Sequence, residues 1–192
     1  MEINKKLNLV LPVGDAYVHS TPISQEAFAR YYLVLSKTFS KIYTEGLGIA
    51  AGPRVAFYLL QDVARDLGGD KDDARAISLA DVENGLVAEI VRLSNLVSLT
   101  SDGWKTVPLQ EALDKGTLDE EDRDEVMNAL TFFTVAWAMH RRTDRVAILE
   151  SAMSLWGGRL ESSNSTAFAA SLPTSIETES SGPKMPVSSV PS

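Results

Sequence analysis

The stretch from Asp119 to Arg142 constrains the fold most, because it reads as one long helix that is apolar on most of its sides. Acidic residues follow the N-cap Asp119, and the basic residues His140, Arg141 and Arg142 close the other end, as the helix macrodipole favours. Its uncharged part is shorter than the roughly 20 apolar residues that a membrane span requires. We therefore predict a core helix that several neighbouring elements bury.

Composition narrows the class of protein. A chain of 192 residues is long enough for one domain with a flexible end. Its net charge of -8 argues against non-specific binding to nucleic acid and against attraction to an anionic membrane surface. The chain has no cysteine, which excludes a disulfide framework and a thiolate metal site. We expect neither a signal peptide nor a transmembrane helix, because no apolar run is long and uninterrupted enough.

The N-terminal residues predict a β-hairpin. Alternating leucines from Leu7 to Leu11 form the first strand, Gly14-Asp15 forms a two-residue turn, and the chain returns through Ala16 to His19. An isolated hairpin is marginal in water, so it has to pack on the helices or pair with another chain. The outer edge of Leu7 to Leu11 would then offer unpaired backbone groups to a second copy of the chain.

Apolar residues at helical spacing predict several further helices, each bounded by a cap, a proline or a glycine pair. Residues 104–107 are short and extended and read as an isolated strand. The predicted helices begin at Ser24, begin again near Pro53, run from Ser78 or Asp81 to Val97, run from Pro108 to Leu113, and run from Arg145 to Trp156.

These elements predict a mainly α (α+β) fold, in which an N-terminal β-hairpin packs on a bundle of about five to six helices. We divide the chain into the hairpin (residues 1–23), a helical domain (residues 24–159) and a Ser/Thr/Pro-rich tail (residues 160–192). The tail is predicted to be largely disordered, because it buries too little apolar surface to offset its ordering entropy. The apolar island from Phe168 to Leu172 is the part of it that we expect to dock.

The sequence contains no credible active site. Neither His19 nor His140 belongs to a recognisable nucleophile motif. The acidic residues that open the core helix lack the spacing of a calcium loop, and the glycines at 46, 48 and 52 lack the pattern of a phosphate cradle. We therefore predict no catalytic residue, no cofactor and no metal, which leaves a binding, assembly or structural role.

Aromatic residues on the helix after Ser24 are the best candidates for a protein contact. Core packing is the default interpretation of this set, but tyrosine combines apolar area with a polar tip and is common at interfaces. The residues that we assign to protein contacts are Leu9 and Leu11 on the hairpin edge, Tyr32 and Tyr43 on the aromatic helix, and Phe168 and Leu172 in the tail.

Five stretches, taken in their order and spacing, resemble a group of bacteriophage proteins described as tail assembly chaperones. The resemblance covers nearly the whole chain, but none of its motifs is chemically diagnostic. The stretches are YVHSTPIS (Tyr17 to Ser24), SKTF-x-x-IY-x-EGLG (Ser36 to Gly48), AGPRVA (Ala51 to Ala56), NALTFFTVAWAMHRR (Asn128 to Arg142) and FAASLPTS (Phe168 to Ser175).

The resemblance implies a small, mostly helical, acidic and non-enzymatic protein that acts in the host cell cytoplasm during phage assembly. It implies binding to the tape measure protein, whose length sets tail length, and help in recruiting tail tube subunits. It supplies no catalytic residues. The alternative class is a structural virion component of the tail or connector, although such proteins often build β-rich folds.

Overall fold

A five-stranded antiparallel sheet in the order β4-β3-β2-β1-β5 gathers distant parts of the chain. The computed structural model describes residues 7–69 and 77–173. The predicted hairpin is confirmed, with Val13 opposite Ala16 across the turn, but its strands lie inside the larger sheet. The strands are β1 (Asn8–Val13), β2 (Ala16–Ser20), β3 (Ser94–Thr100), β4 (Gly103–Pro108) and β5 (Arg159–Glu161).

Helices cover both faces of this sheet, and the α+β class is confirmed. Most of them share the main core with the face that carries Leu9, Leu11 and Val18, whereas the last helix packs on the opposite face. The helices are α1 (Gln25–Thr44), α2 (Gly48–Gly69), α3 (Leu79–Asp81), a π-helical segment (Val82–Val87), α4 (Ala88–Arg92), α5 (Leu109–Asp114), α6 (Glu120–Met139), α7 (Arg145–Ser154) and α8 (Ser165–Ser171).

Helix α6 is the predicted core helix. The carboxylate of its N-cap Asp119 accepts the backbone N–H of Asp122 at 2.8 Å, which satisfies one of the free donors of the first turn. Every residue from Val126 to Phe133 is buried, so this part of the helix has no solvent face. Its neighbours include α1, α2, α7 and β1, and they leave it accessible mainly at its charged start.

Helix α2 packs closely against α6. A Cβ at Gly52 would lie 2.6 Å from Cε2 of Phe132, so glycine is what permits this approach. Helix α2 begins at Gly48 and not near Pro53 as predicted, so Pro53 lies inside it. Proline cannot donate to the carbonyl four residues earlier. The indole Nε1 of Trp156 donates to that carbonyl, of Ile49, at 3.2 Å.

The helix predicted to reach Val97 is too long. Helical structure ends at Arg92, and Val97 lies fully buried in β3 between β2 and β4. Ser94 marks the change, because its hydroxyl donates to the carbonyl of Ile90 at 2.7 Å and contacts the hydroxyl of Ser20 at 2.8 Å. Pairing with strands far away in the chain overrides the local helical spacing here.

Residues 104–107 are extended as predicted, but they belong to β4, which pairs with β3 and is not isolated. The first part of the predicted disordered tail is folded, since it contributes β5 and α8. The predictions of disorder beyond Pro173 and of a charged, solvated connection from Asp70 to Arg75 concern residues outside the described ranges. Among the described helices, none is long and apolar enough to cross a membrane.

We expect Gly52→Ala to destabilise the chain by about 1–3 kcal/mol, the usual cost of overpacking a well-packed contact. The added methyl group meets the ring of Phe132, and this outweighs the helix propensity gained from alanine. Chemical denaturation followed by circular dichroism measures the difference. Gly69→Ala in the same helix is the matched control, because nothing lies within 4 Å of its Cβ position. Equal stability of the two variants would contradict the close contact.

Candidate protein-binding surfaces

The six residues predicted at protein contacts fall in three separate places. Tyr32 and Tyr43 lie on α1 with 54% and 41% of their surface exposed. Leu9 and Leu11 are buried in the main core. The other two belong to α8 and its end, where Phe168 is fully buried and Leu172 is half-buried against the sheet. The structure therefore does not bring the six residues together into one site.

The outer edge of β1 is not free in the folded chain. The prediction that Leu7 to Leu11 offer this edge to a second copy is therefore wrong for this structure. Strand β5 covers this edge, with Leu9 opposite Leu160 and Val10 opposite Arg159. A three-residue strand in a Ser-rich region is too short to show a period-2 pattern. The side chains of Leu9 and Leu11 stabilise the core instead of offering a contact surface.

Four aromatic side chains of α1 form what we call the aromatic stripe: Phe28, Tyr32, Phe39 and Tyr43. At 100° per residue they lie within about 60° of one another around the helix, over a length of about 22 Å. Phe28 contacts Tyr32 with ring centroids 6.3 Å apart, and Phe39 contacts Tyr43 at 4.6 Å. The phenylalanines are half-buried and the tyrosines exposed, so the stripe borders the core and also faces outward.

A groove of about 640 Å³ runs between α2, the π-helical segment, α4, α5 and α6, and we call it the acidic groove. The apolar side chains that line it come from all five elements and include Phe57, Val87, Val91, Leu113 and Met127. Its charged side chains are four carboxylates and one guanidinium, namely Glu83, Asp114, Glu120, Asp124 and Arg123. The sequence did not assign any of these apolar residues to a protein contact, because the groove joins elements that are distant in sequence.

The π-helical segment shapes one wall of the acidic groove. A Cβ at Gly85 would overlap the hydroxyl of Tyr31, so glycine lets this wide turn pack onto α1. The segment directs Glu83 and Val87 to the groove, and the Glu83 carboxylate accepts a hydrogen bond from Gln61 Nε2 at 3.2 Å. Single π-helical turns are frequent at functional sites. The groove wall is therefore held by contacts to both α1 and α2.

A second cleft, of about 500 Å³, continues the acidic groove past the start of α6. The two share Glu120 and Asp124, and the second cleft adds Glu121 and Glu125. The Tyr58 hydroxyl donates a hydrogen bond to the Asp124 carboxylate, and this bond raises the pKa of Tyr58. The predicted acidic helix start is thus also the rim of a concave surface.

What we call the C-terminal segment, residues 159–173, first adds β5 to the edge of the sheet and then covers the outer face of the sheet. Its anchor is Phe168, whose ring lies 5.5 Å from that of Tyr17 and 5.9 Å from that of His19. Four side chains of the sheet contact backbone carbonyls of the segment: Asn8 Nδ2 and His19 Nε2 reach Ser163 at 2.8 and 3.0 Å, Trp104 Nε1 reaches Pro173 at 2.9 Å, and Thr106 Oγ1 reaches Ser165 at 3.4 Å.

His140 lies at the end of α6, as predicted, where it is the C-cap residue. Its ring meets the Phe39 ring edge-on at 5.4 Å, and its carbonyl accepts a hydrogen bond from Arg145 at 3.1 Å. The Arg145 guanidinium also lies 4.6 Å from the Trp137 ring, and burial lowers its pKa. These contacts join α6 to α7 and the aromatic stripe, which gives His140 a structural role.

The described residues contain no group of three or more His, Cys, Asp or Glu side chains arranged to hold a metal ion. A scan against protein-family models found no matching family, and searches of curated proteins and of solved structures found no match either. The support for a function therefore comes from the sequence resemblance and from the surfaces of the folded chain.

We expect His19 to make the stability of the chain depend on pH. Burial lowers its pKa below the ordinary 6.5, although the Ser163 carbonyl partly opposes this. As the pH falls through 6.5, the unfolded chain therefore takes up the proton first and the free energy of unfolding decreases. Denaturation from about pH 7.5 to about pH 5 measures this loss.

His19→Gln is the matched control, because glutamine places an amide nitrogen near the position of Nε2 without a titration in this range. We expect wild type to lose more stability than His19→Gln on acidification. Parallel pH profiles for the two proteins would show that the protonation of His19 does not affect folding.

Proposed function

We propose that this chain is a phage tail assembly chaperone, which binds the tape measure protein in the host cell cytoplasm and helps to recruit tail tube subunits. The proposed role involves no catalysis. It rests on the resemblance of five sequence stretches to that family and on one structural observation, the acidic groove. A chaperone for a long helical client needs a concave surface that accepts a helix, and the groove has suitable chemistry.

The acidic groove fits one class of client segment. An amphipathic helix, about 10–12 Å in diameter with its side chains, can place its apolar face between α5 and α6 against residues such as Leu113 and Met127. The carboxylates of Glu83, Asp114 and Asp124 then meet basic residues on either side of that apolar face. We infer that the client segment is an amphipathic helix flanked by lysine or arginine.

The aromatic stripe offers a second contact for the same client. Tyr32 and Tyr43 remain exposed after the core has formed, and each is supported by a phenylalanine four residues earlier. Exposed tyrosines on a rigid helix lose little conformational freedom on binding. A net charge of -8 would keep the complex with an apolar client soluble.

The double variant Glu83→Lys, Asp114→Lys should weaken binding to the tape measure protein at least about tenfold, because like charges would face each other across the groove. Both side chains are exposed, and their hydrogen bonds in the fold are to Gln61 and Gln110. We therefore expect the free energy of unfolding to change little. Titration calorimetry with purified tape measure segments measures the affinity.

The matched control is Asp102→Lys, Glu150→Lys, which makes the same change of net charge at exposed positions outside both the groove and the aromatic stripe. It should bind like wild type once long-range attraction is screened at about 0.15 M salt. Equal weakening by both double variants would assign the effect to net charge and contradict a specific groove.

Tyr32→Ala or Tyr43→Ala should weaken client binding about tenfold without unfolding the chain, as expected for an aromatic anchor at an interface. Leu99→Ala is a matched control, because this large apolar side chain is similarly exposed but lies on β3, outside both the aromatic stripe and the acidic groove. Affinities for the client and unfolding curves are measured together. Unchanged affinity in both stripe variants would remove the aromatic stripe from the proposal.

Mass spectrometry of purified phage particles, beside a pull-down of this chain from infected cells, tests the function itself. The proposal predicts that the chain is missing from particles and captures a very long helical tail protein. Its presence in particles at stoichiometric amounts would contradict the chaperone and favour a structural component of the tail or connector.

A further inference from the structure

The outer face of the sheet has the contacts of a peptide-binding site, and the chain's own C-terminal segment occupies it. Asn8, His19, Trp104 and Thr106 lie on three different strands, and all four direct a polar side-chain atom to backbone carbonyls of that segment. Backbone contacts of this kind position a peptide, whereas pockets for side chains select its sequence.

One pocket selects the sequence. The Phe168 ring is fully buried against Val10, Val97 and Tyr17 of the sheet, and the Arg159 guanidinium of its own segment lies 5.1 Å from the ring. Leu172 packs at the border of this cluster, one helical turn after Phe168. The site therefore fits a short helix with a phenylalanine and a leucine four residues apart, preceded by a strand that pairs with β1.

We propose that this site also accepts the C-terminal segment of a second copy of the chain, so that two copies exchange residues 159–173. The exchanged segment makes the same contacts in the second copy as in its own chain, so exchange requires no new surface. The incoming β5 extends the sheet at β1, which is recognition by strand addition. This route to self-association uses the edge that β5 covers in the single chain.

The connection before the segment suits such an exchange. Helix α7 ends at Ser154, and four residues lead to β5. Within this connection Leu155 is 63% exposed, and Gly157 has a positive φ of 67° that glycine adopts without strain. Among the described residues, strand β5 pairs only with β1 and over three residues, so its release breaks a short ladder. Trp156 is held by its hydrogen bond to the Ile49 carbonyl, so the hinge consists of Gly157 and Gly158.

A labelled synthetic peptide of residues 159–173 tests the site in trans, with full-length protein as receptor and fluorescence anisotropy as readout. We expect it to bind the full-length Phe168→Ala variant at least about tenfold more tightly than wild type, because the variant's own segment has lost its anchor. A peptide with alanine in place of Phe168 should bind at least about tenfold more weakly. Absence of binding to the folded variant would overturn the proposal.

A second measurement does not depend on the folding of Phe168→Ala. The chain has no cysteine, so single cysteines can be placed at Asn8 in one preparation and at Glu161 in another, positions that face each other across β1 and β5. Mixed under mild oxidation, the two proteins should form a disulfide-linked heterodimer in excess of the two homodimers, and this excess should rise with protein concentration. Asn8→Cys removes one of the four carbonyl contacts but leaves the Phe168 pocket intact, so absence of a heterodimer excess at every concentration would overturn the proposal. Neither result depends on the proposed function, since no phage component is present.

Discussion

The close contact between α2 and α6 at Gly52 and Phe132 sets the positions of the other elements. Because α2 approaches so closely at this point, the middle of α6 is buried on all sides and becomes the axis of the core. The buried Asn128 reinforces the contact, since its amide accepts the N–H of Phe57 at 3.0 Å and donates to the carbonyl of Asp124 at 2.9 Å. A buried polar group that is satisfied in this way also fixes the register of the two helices.

This packing decides which surfaces remain for partners. Helix α1 covers another side of α6 and keeps one border of aromatic side chains exposed. The charged start of α6 extends past the core, and the space between it, α5 and the π-helical segment is the acidic groove. The sheet covers the core from the other side, and the C-terminal segment covers the sheet. The aromatic stripe and the acidic groove thus follow from how the core is closed.

Local patterns in the sequence predict the elements whose stability is local. The cap and apolar run of α6, the spacing of α1 and the Gly14-Asp15 turn are all found where the sequence indicates them. Sequence reasoning fails where distant pairing decides, as at Val97 and at β5. The sequence suggested Tyr32 and Tyr43 as protein-contact residues, and both are exposed, but it gave no sign of the acidic groove, because no periodic pattern reports a concavity between five elements.

Hydrogen exchange of the full-length chain, alone and with the tape measure protein, tests the central claim most directly. If the chain holds a client helix in the acidic groove, amides of the π-helical segment, α5 and the first turns of α6 should exchange more slowly in the complex. Amides of α7 should be unchanged. Protection absent from the groove, or confined to the outer face of the sheet, would contradict the account and place the client elsewhere.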